Sequence, residues 1–287
     1  MSENEKKRRK QSRLARQIIR LRSAFATFVP GYGARRLFKF EQRLGGQKPS
    51  GMHGQDIILA ACDDKYFDMF AVGLVHSMNT RAETHALHLH FLKPSDATIA
   101  KADALRKQFS NVRLTYTTDQ CLDAHKANAQ KIYYAAARFV VAPFILEAGA
   151  RRLLIVDVDS VMRTSPWPIL SQMRDTSIGF VFRNSYREWQ RILAGAVLFE
   201  ADAEALLFSR RLARALLVNV ARKQEYYVDQ IVPHYLIQLA NRHVRARIKS
   251  LPVSIMSLVY AEGAAFWTAK GGDKFSEEFA EGHVAQL

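Results

Sequence analysis

From residue 56 onward, short apolar runs alternate with segments whose apolar positions recur every three or four residues. "DIILAAC" (56–62), "LHLHFL" (87–92), "VRLTYT" (112–117) and "LLIVDVD" (153–159) have the length and content of strands. Between them lie helical patterns at 66–78, 96–109 and 132–149, the last predicted to bend before Pro143. Strands separated by helices of this length imply right-handed crossovers and a parallel sheet, so the fold class is α/β. Ligands in such sheets are expected beyond the carboxyl ends of the strands. Two strands end there on acids: Asp63 and Asp64 follow the first, and Asp157 and Asp159 close the fourth.

The amino end has a different pattern. Leu14, Ile18, Leu21, Phe25 and Phe28 recur at helical spacing and share one face of a predicted helix, which Pro30 ends. "LGGQKPSGMHG" (44–54) reads as a linker, so the chain divides into an extension, residues 1–52, and a domain, residues 53–287.

Composition adds limits. A chain of 287 residues that is 48% hydrophobic can bury one large core or two modest ones. No stretch approaches the roughly 18 apolar residues a spanning helix needs, and no secretory leader is evident, so neither a membrane span nor secretion is expected. Cys62 and Cys121 are far apart and belong to no CxxC pattern, which argues against a zinc site or a disulfide framework and suits a reducing cytoplasm. Charge is uneven. Residues 1–50 carry fourteen Lys and Arg against three Glu, a net +11 of the chain's +15, which leaves the remainder only mildly basic. This distribution argues against a nucleic-acid partner. Arg13, Arg16, Arg20 and Arg22 surround the apolar stripe, and a cationic amphipathic segment over residues 1–28 suits the inner face of an anionic membrane; packing against the domain or a partner is the alternative.

Alternation along a strand makes Asp157 and Asp159 point the same way, roughly 6.5–7 Å apart. Two buried carboxylates without partners are costly, and a hard divalent cation is a natural counterion for them. Mn²⁺ or Mg²⁺ suits a site with few protein carboxylates, because water and a diphosphate complete the shell. Helix caps and salt-bridged corners are the other reading of such acids. "HALHLH" (85–90) offers three histidines away from this place, and a structural role is expected for them.

"IILAACDDKYFDMFAVGLVHSM" (57–78), "YYAAARFVVAPFILEAGARRLLIVDVDSVM" (133–162), "LAGAVLFEA" (193–201) and "YYVDQIVPHYL" (226–236) follow one another in an order that resembles the family 8 glycosyltransferases of GT-A fold. The resemblance implies a nucleotide-diphospho-sugar transferase with a mixed, mostly parallel sheet flanked by helices. It also implies retention of anomeric configuration, a UDP-sugar as the expected donor, and a glycan or glycolipid acceptor. Mapped onto this chain, it makes Asp157 and Asp159 the metal pair and Cys62, Asp63, Asp64, Arg138, Asp157, Gly195, Lys270 and Lys274 the donor site. Asp229 and Gln230 would stand beside the reacting sugar as catalytic residues.

The chain departs from that pattern twice. Leu193, Ala194 and Gly195 stand where the family has Asn-Ala-Gly, and "AFWTAKGGDK" (265–274) lacks the family's histidine. These departures keep a degenerate, non-catalytic binding domain open. "DVDSV" also resembles the nucleophile motif of haloacid dehalogenase phosphatases, but that family carries it on the first strand.

Overall fold

The structure is a computed structural model, and it describes residues 13–47, 52–122, 127–221, 227–259 and 263–268, with 274, 276 and 279. Eight strands form the main sheet, in the order β1 (Gly45–Gly46), β4 (Val112–Asp119), β3 (His85–Leu92), β2 (Asp56–Cys62), β5 (Arg152–Val156), β8 (Ile192–Glu200), β7 (Ile178–Phe182) and β9 (Ile248–Ser250). The four central strands, β4, β3, β2 and β5, run parallel, and β8 joins antiparallel to β5 and β7. A small sheet pairs β6 (Ser160–Met162) with β11 (Phe266–Thr268), and β11 with β10 (Met256–Ser257).

β2 and β5, at the middle of the sheet, are almost wholly apolar because both their faces are covered. Ile57, Leu59, Leu153 and Ile155 face one side, where α6 (Ala127–Glu147), α8 (Ala203–Val220) and α9 (Val228–Leu239) pack. Ile58, Ala60, Leu154 and Val156 face the other, against α4 (Val72–Asn79), α5 (Asp96–Gln108) and the small sheet. The remaining helices are α1 (Arg13–Phe28), α2 (Ala34–Glu41), α3 (Asp64–Tyr66), α7 (Trp167–Leu170) and α10 (Arg242–Ala246). Among the described residues no helix is long and apolar enough to cross a membrane.

Three expectations change. The fourth strand stops at Val156; Asp157 donates its N–H to the Gly195 carbonyl (3.2 Å), and the chain turns through Val158 and Asp159 into β6. Asp157 and Asp159 are therefore turn residues at the end of β5, and strand alternation does not set their directions. The linker also holds structure: Gly45 and Gly46 pair with Thr118 and Thr117, the Gly residues admitting the close approach of that strand. Finally, the Leu14, Leu21, Phe25 and Phe28 stripe of α1 is exposed. The small opposite face, Ile19, Ser23 and Ala26, packs inward, and with Leu37 and Phe40 of α2 it belongs to the same core as α6 and α8. The extension and the domain share one core.

α6 runs through Pro143 from Ala127 to Glu147. The three histidines are buried in β3, where His88 bonds Thr115 and Thr117 (2.8 and 3.0 Å) and His90 bonds Thr117 (2.9 Å).

Candidate active site

A cleft of about 720 Å³ opens beyond the carboxyl ends of β2 and β5. Cys62 and Asp63 come from the end of β2, Asp157 and Asp159 from the turn after β5, and Arg138 from α6. Lys274 reaches in from the carboxyl end of the chain. A second hollow, at the amino ends of the strands, is lined by Arg151, Arg152 and Arg247, but acids already hold all three: Asp56 takes the first two, and Asp202 and Glu204 the third. The cleft at the carboxyl ends offers the less committed chemistry.

Each aspartate has a cationic partner. Arg138 Nη1 lies 2.6 Å from Asp157 Oδ1, and its Nη2 donates to the Ala194 carbonyl at 3.0 Å. Lys274 Nζ pairs with Asp159 Oδ2 and lies over the rings of Tyr66 and Phe70, 5.8 and 5.7 Å from their centres. Burial, helped by the charge of Asp157, pushes the Asp159 carboxyl above its ordinary value; Lys274 and Arg138 pull the other way. For Lys274, burial alone would lower the ammonium, but the Asp159 carboxylate more than reverses it, and the group is held above its usual value. The two carboxylates and two cations together nearly neutralise one another.

Gly195 lies in β8 beside this group. A Cβ there would sit 2.7 Å from Met256 Sδ and 3.0 Å from Asp157 Oδ2, so the absence of a side chain lets the carboxylate lie against the strand.

The other anticipated residues are distributed more widely. Asp63 lines the cleft and caps α3, accepting from the Tyr66 N–H at 2.9 Å. Asp64 accepts from the Ser95 N–H at 3.0 Å and is not among the cleft residues; burial works against its charge, but hydrogen bonds from Thr98 and Ser95 keep its carboxyl low. Burial, with the charges of Asp63 and Asp64, raises the Cys62 thiol well above its ordinary value, so it meets a ligand as a neutral wall. Asp229 and Gln230 open α9 outside the cleft lining. The Gln230 amide, oriented so that its partners are satisfied, donates to the carbonyls of Trp189 (2.7 Å) and Ile192 (3.1 Å). Lys270 lies outside the described residues.

Lys65, Tyr66, Lys131 and Tyr134 also line the cleft, and sequence reasoning missed them. Lys131 and Tyr134 sit seven and four positions before Arg138 on α6, so helical spacing from that arginine points to them. Burial raises the Tyr134 hydroxyl, which accepts from the Gln130 amide at 2.5 Å.

A divalent cation is compatible with this donor set. Mg²⁺ and its relatives are commonly held by one or two carboxylates with substrate phosphates supplying the rest, and Asp157 and Asp159 are two carboxylates on an open cleft. Among the described residues no cluster of three His, Cys, Asp or Glu converges. The phosphatase motif is not matched, since the aspartates follow β5, the fifth strand of the main sheet in chain order, rather than the first.

No known family pattern matches the chain, and no curated protein matches it by sequence. Solved structures do. The galactosyltransferase LgtC in complex with donor and acceptor sugar analogues is similar at TM-score 0.55 and 15% identity, over 80% of this chain and 95% of that one. An active-site mutant of LgtC gives 0.53 and 16% over the same shares. The bifunctional glycosyltransferase WbbM gives 0.48 and 13% over 74% of this chain, which spans only 41% of that protein's length. At these identities the likeness is one of fold: a mixed α/β architecture of GT-A type.

Proposed function

We propose that this protein transfers a sugar from a nucleotide diphosphate, expected to be a UDP-sugar, to a glycan or lipid-linked acceptor. The reaction would run in the cytoplasm, at the inner face of a membrane, with retention at the anomeric carbon. One observation carries the reading: an open cleft at the carboxyl ends of a GT-A type sheet, with Asp157 and Asp159 on one wall and Lys65, Lys131, Arg138 and Lys274 around it.

The residues divide the work by charge. Lys65, Lys131 and Lys274 suit a diphosphate, whose negative charge rises as the sugar leaves. Asp63 and the neutral Cys62, at the end of β2, suit the ribose and base. Arg138 holds Asp157 and, through the Ala194 carbonyl, ties it to β8. Asp157 and Asp159 would hold Mn²⁺ or Mg²⁺, which supplies Lewis-acid stabilisation of the leaving group. Lys274 and that cation compete for the Asp159 carboxylate. Gln230, committed to the Trp189 and Ile192 carbonyls, acts as a positioning residue for the wall beside the sugar, with Asp229 next to it.

A second reading, a domain that binds a nucleotide or glycan without turnover, is favoured by the cation already paired with each aspartate. Thermal shifts with UDP, GDP and their sugars, with and without Mn²⁺, separate the two. A ligand at a hundred times its Kd adds about 2.7 kcal/mol, or a rise in Tm of roughly 5–10 °C. The transferase reading expects that rise with UDP only when Mn²⁺ is present, its loss in Asp159→Asn, and slow release of sugar from the donor. Metal-independent binding with no release of sugar supports the binding domain instead.

A further inference from the structure

α1, the turn after it and α2 form an outward ridge that the cleft does not involve. Leu14, Leu21, Phe25, Phe28, Tyr32 and Phe38 all lie on it, each between 46% and 71% exposed. Large apolar side chains scattered singly over a surface are ordinary, but six exposed within one helix–turn–helix segment, Phe25 and Tyr32 with ring centres 6.1 Å apart, mark a contact surface. The ridge is firmly mounted. On its inner side, Ser23 accepts from the Asn219 amide of α8 (3.3 Å), Ala26 is buried, and Phe40 stacks on Phe144 of α6 with ring centres 6.1 Å apart. α1 buries Ile19 together with the small Ser23 and Ala26, and its other large apolar residues, Leu14, Leu21, Phe25 and Phe28, are left on the outside.

Charge identifies the partner. Between Arg13 and Phe40 the chain has no acidic residue, and Arg13, Arg20, Arg35, Arg36 and Lys39 are exposed beside the apolar side chains. Arg16 is drawn inward, toward Glu188 at 3.6 Å and over the ring of Trp189. A second copy of this chain would set two such cationic ridges against each other, which like charge opposes. An anionic bilayer matches both halves of the pattern: rings and leucines enter the headgroup boundary while arginines meet lipid phosphates.

We propose that the ridge from Leu14 to Lys39 is a membrane-docking face that seats the protein on anionic lipid. The α1 end of this face contacts the turn at 188–190, whose Trp189 carbonyl holds Gln230, so docking places the start of α9 near the lipid. The inference stands on α1 and α2 alone and does not depend on what the cleft binds.

Co-sedimentation of the full chain with phosphatidylcholine vesicles, with or without about three-tenths phosphatidylglycerol, tests it at salt of about 0.1 and about 0.5 M. The expected result is at least tenfold stronger partition onto the anionic vesicles, weakened by salt. The combined variant Leu21→Ser, Phe25→Ser, Phe28→Ser should lower partition at least about tenfold with its melting temperature nearly unchanged, because these side chains are already in water. Arg20→Gln with Arg35→Gln and Arg36→Gln should also lower it and flatten its salt dependence. The proposal is overturned if the serine variant binds vesicles like the parent, or if it melts far lower, which would show that the face is covered. Self-association that the serine variant abolishes, without vesicle binding by the parent, would assign the face to a second copy and equally overturn it.

Discussion

His88 and His90 are fully buried, bonded to the hydroxyls of Thr115 and Thr117, and burial lowers their pKa values to about 3 and about 4, the charge of His90 adding to the effect on His88. Both rings stay neutral in the folded chain at pH 5, whereas in the unfolded chain an imidazole with the ordinary value of 6.5 is then mostly protonated. Their share of stability is fully present above pH 6.5 and is lost as the pH falls from there toward 4. Between pH 7 and pH 5 the loss is about 2 kcal/mol for each ring, or roughly 3–4 kcal/mol for the pair. For a chain of this size that corresponds to a fall in Tm of roughly 6–15 °C. Urea and thermal unfolding at the two pH values, for the parent and for His88→Asn with His90→Asn, isolate the contribution. Asn keeps a donor near the Nδ1 position but does not titrate, so the double variant should start less stable and lose much less between pH 7 and pH 5. If it loses as much as the parent, the buried rings are not the origin of the acid sensitivity, and the account of β3 is wrong.

Two further outcomes concern the cleft. Gly195→Ala should press its new methyl on Met256, which can shift, and on Asp157 Oδ2, which can move only by straining its bond to Arg138; we expect about 1–2 kcal/mol of lost stability and about tenfold weaker nucleotide binding by calorimetry, and unchanged affinity would remove Asp157 from the donor site. Lys274→Met frees the Asp159 carboxylate, so Mn²⁺ alone should bind more tightly while the nucleotide-sugar binds about tenfold more weakly; constants that both match the parent would show that the lysine has no part in the site.

Much of the architecture was legible along the chain. β2 spans the residues its apolar run predicted, because a strand covered on both faces leaves a continuous hydrophobic signal; β3 starts two residues before its run and β4 ends two residues after its own. The acids at the strand ends were equally visible. The end of β5 was not, since Val156, Asp157 and Val158 continue an alternation that local pattern cannot distinguish from a strand; the chain leaves it for β6, whose partner strand β11 lies far down the chain. α1 was legible only in part: its large apolar stripe was visible, but local pattern could not choose between packing and an outward face, and packing on α8 took Ile19, Ser23 and Ala26 instead. The ion pairs of Asp157 and Asp159 join parts of the chain that no local window holds together.

The turn that carries Asp157 and Asp159 is also where the chain crosses from the large sheet into the small one. The spacing of those two oxygens is therefore governed by the angle between two layers and not by the pleat of one strand. That angle is set in part by residues that do not line the cleft, such as Trp267 of β11 and Phe279, whose rings meet edge to face 4.9 Å apart beside Val161. Exchanges in that contact can tune the grip of the carboxylates while every residue lining the cleft stays the same.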